Sequence, residues 1–122
     1  MKLITYLQRR QERESNAKND LIAKITESTT YHIAWSTEEL YRTAFRLDHI
    51  SQAIDDLEAG RTDVQVCDYY IKYAERFLEH EYNVRENSSG SMFREVSTWK
   101  YQEMFWVKRF FRETLETINA DK

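Results

Sequence analysis

With 122 residues, of which 41% are apolar and 32% charged, the chain is long enough to bury a core and too apolar to stay disordered. Its 18 cations and 21 anions leave a formal net charge of −3. That is too balanced for a duplex-DNA binder working by phosphate neutralisation and too weakly acidic for a polyanion mimic. Cys67 stands alone, so neither a disulfide framework nor a thiolate metal site is available.

Proline is absent and the only glycines are Gly60 and Gly90, too few turn residues for a sheet protein of this length. The chain therefore reads as all-α and as one helical domain over residues 1–122. Charge is uneven along it: residues 1–35 carry about +2, residues 36–87 about −6 and residues 88–122 about +1, which favours packing of the ends against the middle. No apolar run approaches the ~18 residues of a membrane span. The opening "MKLITYLQRRQ" turns polar too soon for a secretion signal, and a cytoplasmic location is the expectation.

In the N-terminal segment Leu3, Ile4 and Leu7 fall in helical phase with Leu21, Ile22, Ile25 and Ile33, yet between Gln8 and Asp20 only Ala17 is apolar. Either one helix projects past the core there, with residues 1–20 free to swap between protomers, or two helices break around "SNAKN". Ser36 and Glu39 form a capping box that opens a helix near 37–59, and Gly60 stands where a C′ glycine would stop it. Thr62 and Gln65 form a second box, opening a helix near 63–85. The stretch "ENSSGS", residues 86–91, is a loop whose Ser91 can cap a helix near 92–119. The expected architecture is a compact bundle of four to five helices, mostly antiparallel, ending in a long aromatic-rich helix.

That last helix contains "WKYQEMFWVKRFF", with six aromatics and three cations between Trp99 and Phe111. At helical spacing Met92, Phe93, Val96, Trp99, Met104, Val107, Phe110, Phe111, Leu115 and Ile118 share one face, with Trp106 at its edge, so most of the aromatic density is core. Tyr101 and Phe105 point the other way, among Lys108, Arg109 and Arg112. The helix from Thr37 repeats the pattern: Leu40, Ala44, Leu47, Ile50, Ile54 and Leu57 form its core face, and Tyr41 and Phe45 lie away from it. Two outward aromatic pairs have two readings, a second packing contact inside the bundle or an interaction patch with aromatic anchors and arginines. Charges also fall inside apolar stripes: Lys100 and Glu103 in the last helix, Glu81 in the third, His32 in the N-terminal segment. Buried charges must be paired. The expected pairing is Lys100 with Glu81 or Glu103, and the sharper alternative is a polar pocket in which His32 and Glu81 or Glu103 act as acid and base.

Neither Glu-x-x-His pairs for a helical di-metal site nor glycine-rich phosphate loops occur, so no metal and no cofactor is expected. Arg42 and His49 lie on one helix face with six residues between them ("R-TAFRLD-H"). This spacing resembles the Arg…His motif of HEPN-type ribonucleases, helical domains that pair to build one RNA-cleaving site. The resemblance implies an acid–base role for His49 and a phosphate-side role for Arg42, although Thr43 after the arginine departs from the family's pattern. The leading expectation is a non-enzymatic protein-binding module that self-associates, as a homodimer, and serves as accessory regulator or inhibitor of a larger complex. Tyr41, Phe45, Tyr101, Phe105, Lys108, Arg109 and Arg112 would form its partner surface. The alternatives are the dimeric, metal-independent ribonuclease and single-stranded nucleic-acid binding by the last helix.

Overall fold

A computed structural model describes residues 2–27, 30–86 and 91–120; the side chains of 30–34, 81–86 and 91–95 lie outside that description. The candidates His32 and Glu81, and the cap expected from Ser91, therefore fall outside the described residues. The fold is a four-helix bundle, with helices α1 Leu3–Glu27, α2 Thr30–Glu58, α3 Asp63–Glu86 and α4 Ser91–Ala120. Helix α1 packs along α2 and α3 along α4, and these two antiparallel pairs meet chiefly through α2 and α4.

The α2–α3 connection follows from local sequence. Gly60 has φ of +102°, a backbone conformation that costs side-chain-bearing residues. Around it Gly60 N–H donates to the Leu57 carbonyl at 3.0 Å and Arg61 N–H to the Asp56 carbonyl at 3.2 Å, the two bonds of a Schellman motif. Helix α3 then starts on a reciprocal capping box: Gln65 N–H donates to Thr62 Oγ1 at 3.1 Å, and Thr62 N–H to Gln65 Oε1 at 3.0 Å.

The other expected start corrects differently. Ser36 is 2% exposed and lies inside α2, which begins at Thr30. No glycine or proline separates Thr30 from Ser36, so a capping-type tetrapeptide is simply absorbed into a continuing helix. Helix α1 likewise runs unbroken through "SNAKN" and does not project: its polar middle is docked on the bundle. Leu3, Leu7, Glu14 and Leu21 are its buried residues, so Glu14 takes the heptad position an apolar residue would be expected to fill. Arg10 donates to Glu14 at 2.9 Å, and the Gln11 amide donates to the Ser51 hydroxyl at 3.1 Å.

One core draws on all four helices: Leu3 and Leu7 of α1, Ile50, Ala53 and Ile54 of α2, Val66, Cys67, Tyr70 and Ala74 of α3, and Met104, Val107 and Phe111 of α4. Tyr70 stacks on Phe111 with centroids 4.8 Å apart while its hydroxyl donates to Asp56 at 3.0 Å, which lets a polar tip sit at the edge of an apolar core. Burial, with that Asp56 contact second, raises the Tyr70 pKa. The Cys67 thiol is fully buried, and burial, reinforced by Asp63, pushes its pKa to about 12, so it behaves as a small apolar side chain. No described helix is long and apolar enough to cross a membrane.

Candidate functional site

The two outward aromatic pairs do not form one exposed patch. Tyr41 and Phe45 are half-buried: the Tyr41 ring lies 5.8 Å from that of Trp99 on α4, and Phe45 packs against the core with its ring 4.5 Å from that of His49 one turn along α2, centroid to centroid. Tyr101 packs against the core as well, with its ring 5.2 Å from that of Phe105. Phe105 alone of the four is open to solvent, at 49% exposure. Helix α2 is contacted by α1, α4 and α3, and its aromatic side meets Trp99 of α4 through Tyr41, and Tyr70 and Tyr73 of α3 through His49. Val96, expected in the core, is exposed on the first turns of α4.

Of the two partners expected for Lys100, Glu81 lies outside the described residues and Glu103 is held by arginines instead. Glu103 is 2% exposed and takes its partners from α2. Arg46 grips it with both Nε (2.6 Å) and Nη2 (3.0 Å), and Arg42 Nη1 adds a third bond at 3.1 Å. Burial alone would lower the Arg46 pKa; the hydrogen-bonded Glu103 and the charges of Glu14 and Glu39 outweigh it, and the net shift is upward. Arg42 is held further by Gln102 at 2.6 Å and Glu38 at 3.3 Å. Lys100 has no part in this; its ammonium lies 4.7 Å from the centre of the Phe77 ring. Trp106 receives two guanidinium groups, Arg46 at 5.0 Å and Arg10 at 5.6 Å, which ties α1 into the same cluster.

Arg42 and His49 face different neighbours. While Arg42 turns to α4, the His49 ring is 9% exposed and lies against Phe45, Tyr70 and Tyr73. Its Nδ1 is 2.8 Å from the Phe45 carbonyl oxygen, and burial lowers its pKa. Burial disfavours the charged imidazolium here, and the ring packs among these aromatics.

Beside the Arg42–Glu103 cluster runs an open groove of about 700 Å³ along the outer side of α4. Arg42 and Arg46 border it from α2, and Phe105, Trp106, Lys108, Arg109 and Arg112 line it from α4, along with Glu113 and Glu116. Four of the seven residues expected to form the partner surface, Phe105, Lys108, Arg109 and Arg112, are thus brought together, with Arg42 and Glu103 beside them, and Tyr41, Phe45 and Tyr101 are not among the lining residues. Lys108 and Arg112 each reach Glu75 on α3, at 3.7 and 3.5 Å, exposed pairs that contribute little to stability. Arg46 and Trp106 were missed as site residues. The available signal was a glutamate inside an apolar stripe, which demands a cation, together with arginines spaced by four on α2.

A second, smaller groove of about 270 Å³ lies on α3, lined by residues including Tyr69, Tyr73, Arg61 and Arg76. Tyr69 and Tyr73, spaced by one helical turn, are 46% and 42% exposed, and Arg61 lies 5.1 Å from the Tyr69 ring centre. Among the described residues no group of three His, Cys, Asp or Glu side chains is placed to hold a metal ion.

The molecule is thus a four-helix bundle whose most distinctive surface feature is a cation-bordered, aromatic-floored groove. Comparison with known proteins finds no matching family model, no similar curated protein and no similar solved structure.

Proposed function

We propose that the chain is a non-enzymatic protein-binding module that self-associates and works as an accessory regulator or inhibitor of a larger assembly. The observation that carries this reading is the groove along α4, where an exposed phenylalanine stands among arginines on a well-packed helix. Exposed aromatic rings next to guanidinium groups are the usual anchors of protein interfaces, because the ring buries much area at low entropic cost and the guanidinium pairs with carboxylates. Phe105 is the expected anchor. Lys108, Arg109 and Arg112 form its polar rim, and Arg42 and Arg46 bound the groove from α2. Action by occlusion or scaffolding suits a surface of this kind.

The test is molar mass in solution by size-exclusion chromatography with light scattering, across a dilution series. Wild type should run as a dimer that dissociates on dilution. Phe105→Arg should run as a monomer throughout, with unchanged helical circular dichroism. Wild type and Phe105→Arg with the same mass at every concentration would refute self-association through this face.

A further inference from the structure

The charges around the α4 groove balance, but they are separated along it. Glu38 and Glu103 are taken up by Arg42 and Arg46, and Glu75 by Lys108 and Arg112. That leaves Arg109, Glu113 and Glu116, which are exposed and make no ion pair among the described residues. Gln102, Phe105, Arg109, Arg112 and Glu116 follow one another at spacings of three and four, so with Glu113 they form one exposed stripe on the outer side of α4. The middle of this stripe is basic and its C-terminal end acidic. That order opposes the helix dipole, which favours cations at a C-terminus, and the last turn of α4 holds no basic residue.

We infer, resting on the self-association reading above, that this stripe pairs with the same stripe of a second copy of the chain, antiparallel, about a two-fold axis near Arg112 and Glu113. A basic segment followed by an acidic one is complementary to itself only when one copy is reversed. In that register Arg109 of each protomer meets the partner's Glu116, and Arg112 meets the partner's Glu113. A parallel arrangement would instead set arginine against arginine and glutamate against glutamate. The two-fold axis makes each contact twice. It also brings cations from the partner to the acidic end of each α4, where the helix dipole favours them. Phe105, at either end of the pair, covers the partner's last turn, whose exposed Ala120 is small enough to admit a ring. An interface confined to one helix per protomer is small, which fits a dimer that dissociates on dilution.

The experiment is a charge-reversal series on the full-length chain, read as molar mass by light scattering across a dilution series. Wild type, Arg109→Glu, Glu116→Arg, the double variant and an equimolar mixture of the two single variants are compared at ~50 mM salt, where screening is weak. Circular dichroism checks that each is folded. Either single reversal sets like charges together at two symmetry-related places, and the dimer should weaken by about tenfold or more. Arg109→Gln, which removes the charge without reversing it, should weaken it less. The double variant restores opposite charges across the axis and should dimerise as wild type does. The mixture should do so too, as a heterodimer, since the two reversed sites then face one another. Rescue in the mixture cannot arise within one chain. A double variant and a mixture as weak as the single variants would overturn this register, while a wild-type dimer that Phe105→Arg still disrupts would keep the self-association reading intact. Single reversals that leave the dimer unchanged would overturn the register by placing the contact elsewhere. A wild type that stays monomeric at every concentration would overturn both and leave the face to a different partner.

Discussion

Replacing Glu103 with leucine removes the acceptor of three guanidinium hydrogen bonds at the junction of α2 and α4. Removing one partner of a buried ion pair costs about 3–5 kcal/mol, because the other charge is left desolvated and unpaired. Here the Arg42 and Arg46 side chains keep 19% and 30% exposure, so water recovers part of the loss, and Arg42 retains Glu38 and Gln102. About 2–3 kcal/mol of destabilisation is left after that recovery. For a domain of this length ~1 kcal/mol corresponds to roughly 3–5 °C, so Glu103→Leu should melt about 6–15 °C below wild type. Urea unfolding followed by circular dichroism measures the free energy directly, and an unchanged m-value would show that both proteins unfold from the same compact state. The companion variant Arg42→Met/Arg46→Met/Glu103→Leu should recover most of the loss, since removing the whole ionic group also removes its desolvation penalty. A Glu103→Leu protein as stable as wild type would refute the reasoning: the guanidinium groups would then rehydrate freely, and the cluster would not hold the helix pairs together.

The remaining tests address pH and the α2–α3 turn. Burial lowers the His49 pKa below its ordinary value, with the nearby Lys100 acting in the same direction against Phe45 and Asp48. Between the folded and unfolded pKa values the unfolded chain binds more protons. The His49 contribution is therefore complete above about pH 6.5 and is lost as pH falls toward the folded pKa, with a slope of at most ~1.4 kcal/mol per pH unit. Urea titrations from pH 7.5 to pH 5 should give a steeper fall for wild type than for His49→Gln, and parallel curves would contradict it. Thr62→Ala removes one arm of the capping box and should cost about 1 kcal/mol, read as a lower urea midpoint at constant m-value; an unchanged midpoint would mean that the Gln65 arm or water compensates.

Much of the fold was legible in the residues because its punctuation is local. Gly60 and the Thr62–Gln65 box act through neighbours within a few positions, so the end of α2 and the start of α3 can be read directly. The same logic misled at Ser36, where the tetrapeptide is right for a cap but nothing upstream stops the helix. In α1 the phase of Leu3, Leu7 and Leu21 was visible. What could not be seen was that Glu14 continues it, because a buried carboxylate at a heptad position makes sense only with Arg10 beside it and Arg46 within electrostatic reach from α2. The groove was half legible for the same reason. Phe105, Lys108, Arg109 and Arg112 lie on one helix and declare a common face through their spacing. Arg42 and Arg46 join them only through tertiary packing.

The Glu103 cluster also decides which residues can report on binding. Arg42 and Arg46 border the groove and at the same time satisfy a carboxylate that is 2% exposed, so substituting either one perturbs the fold and the surface together. Neighbouring residues that share a hydrogen-bond network are non-additive, and a loss of binding in Arg46→Ala would not separate a missing contact from a displaced α2. Arg109 and Phe105 are free of that ambiguity, since both are exposed and Glu103 is held without them. The buried ionic group therefore fixes the geometry of the rim, whereas the exposed residues of α4 carry the contacts, and the two roles respond to different substitutions.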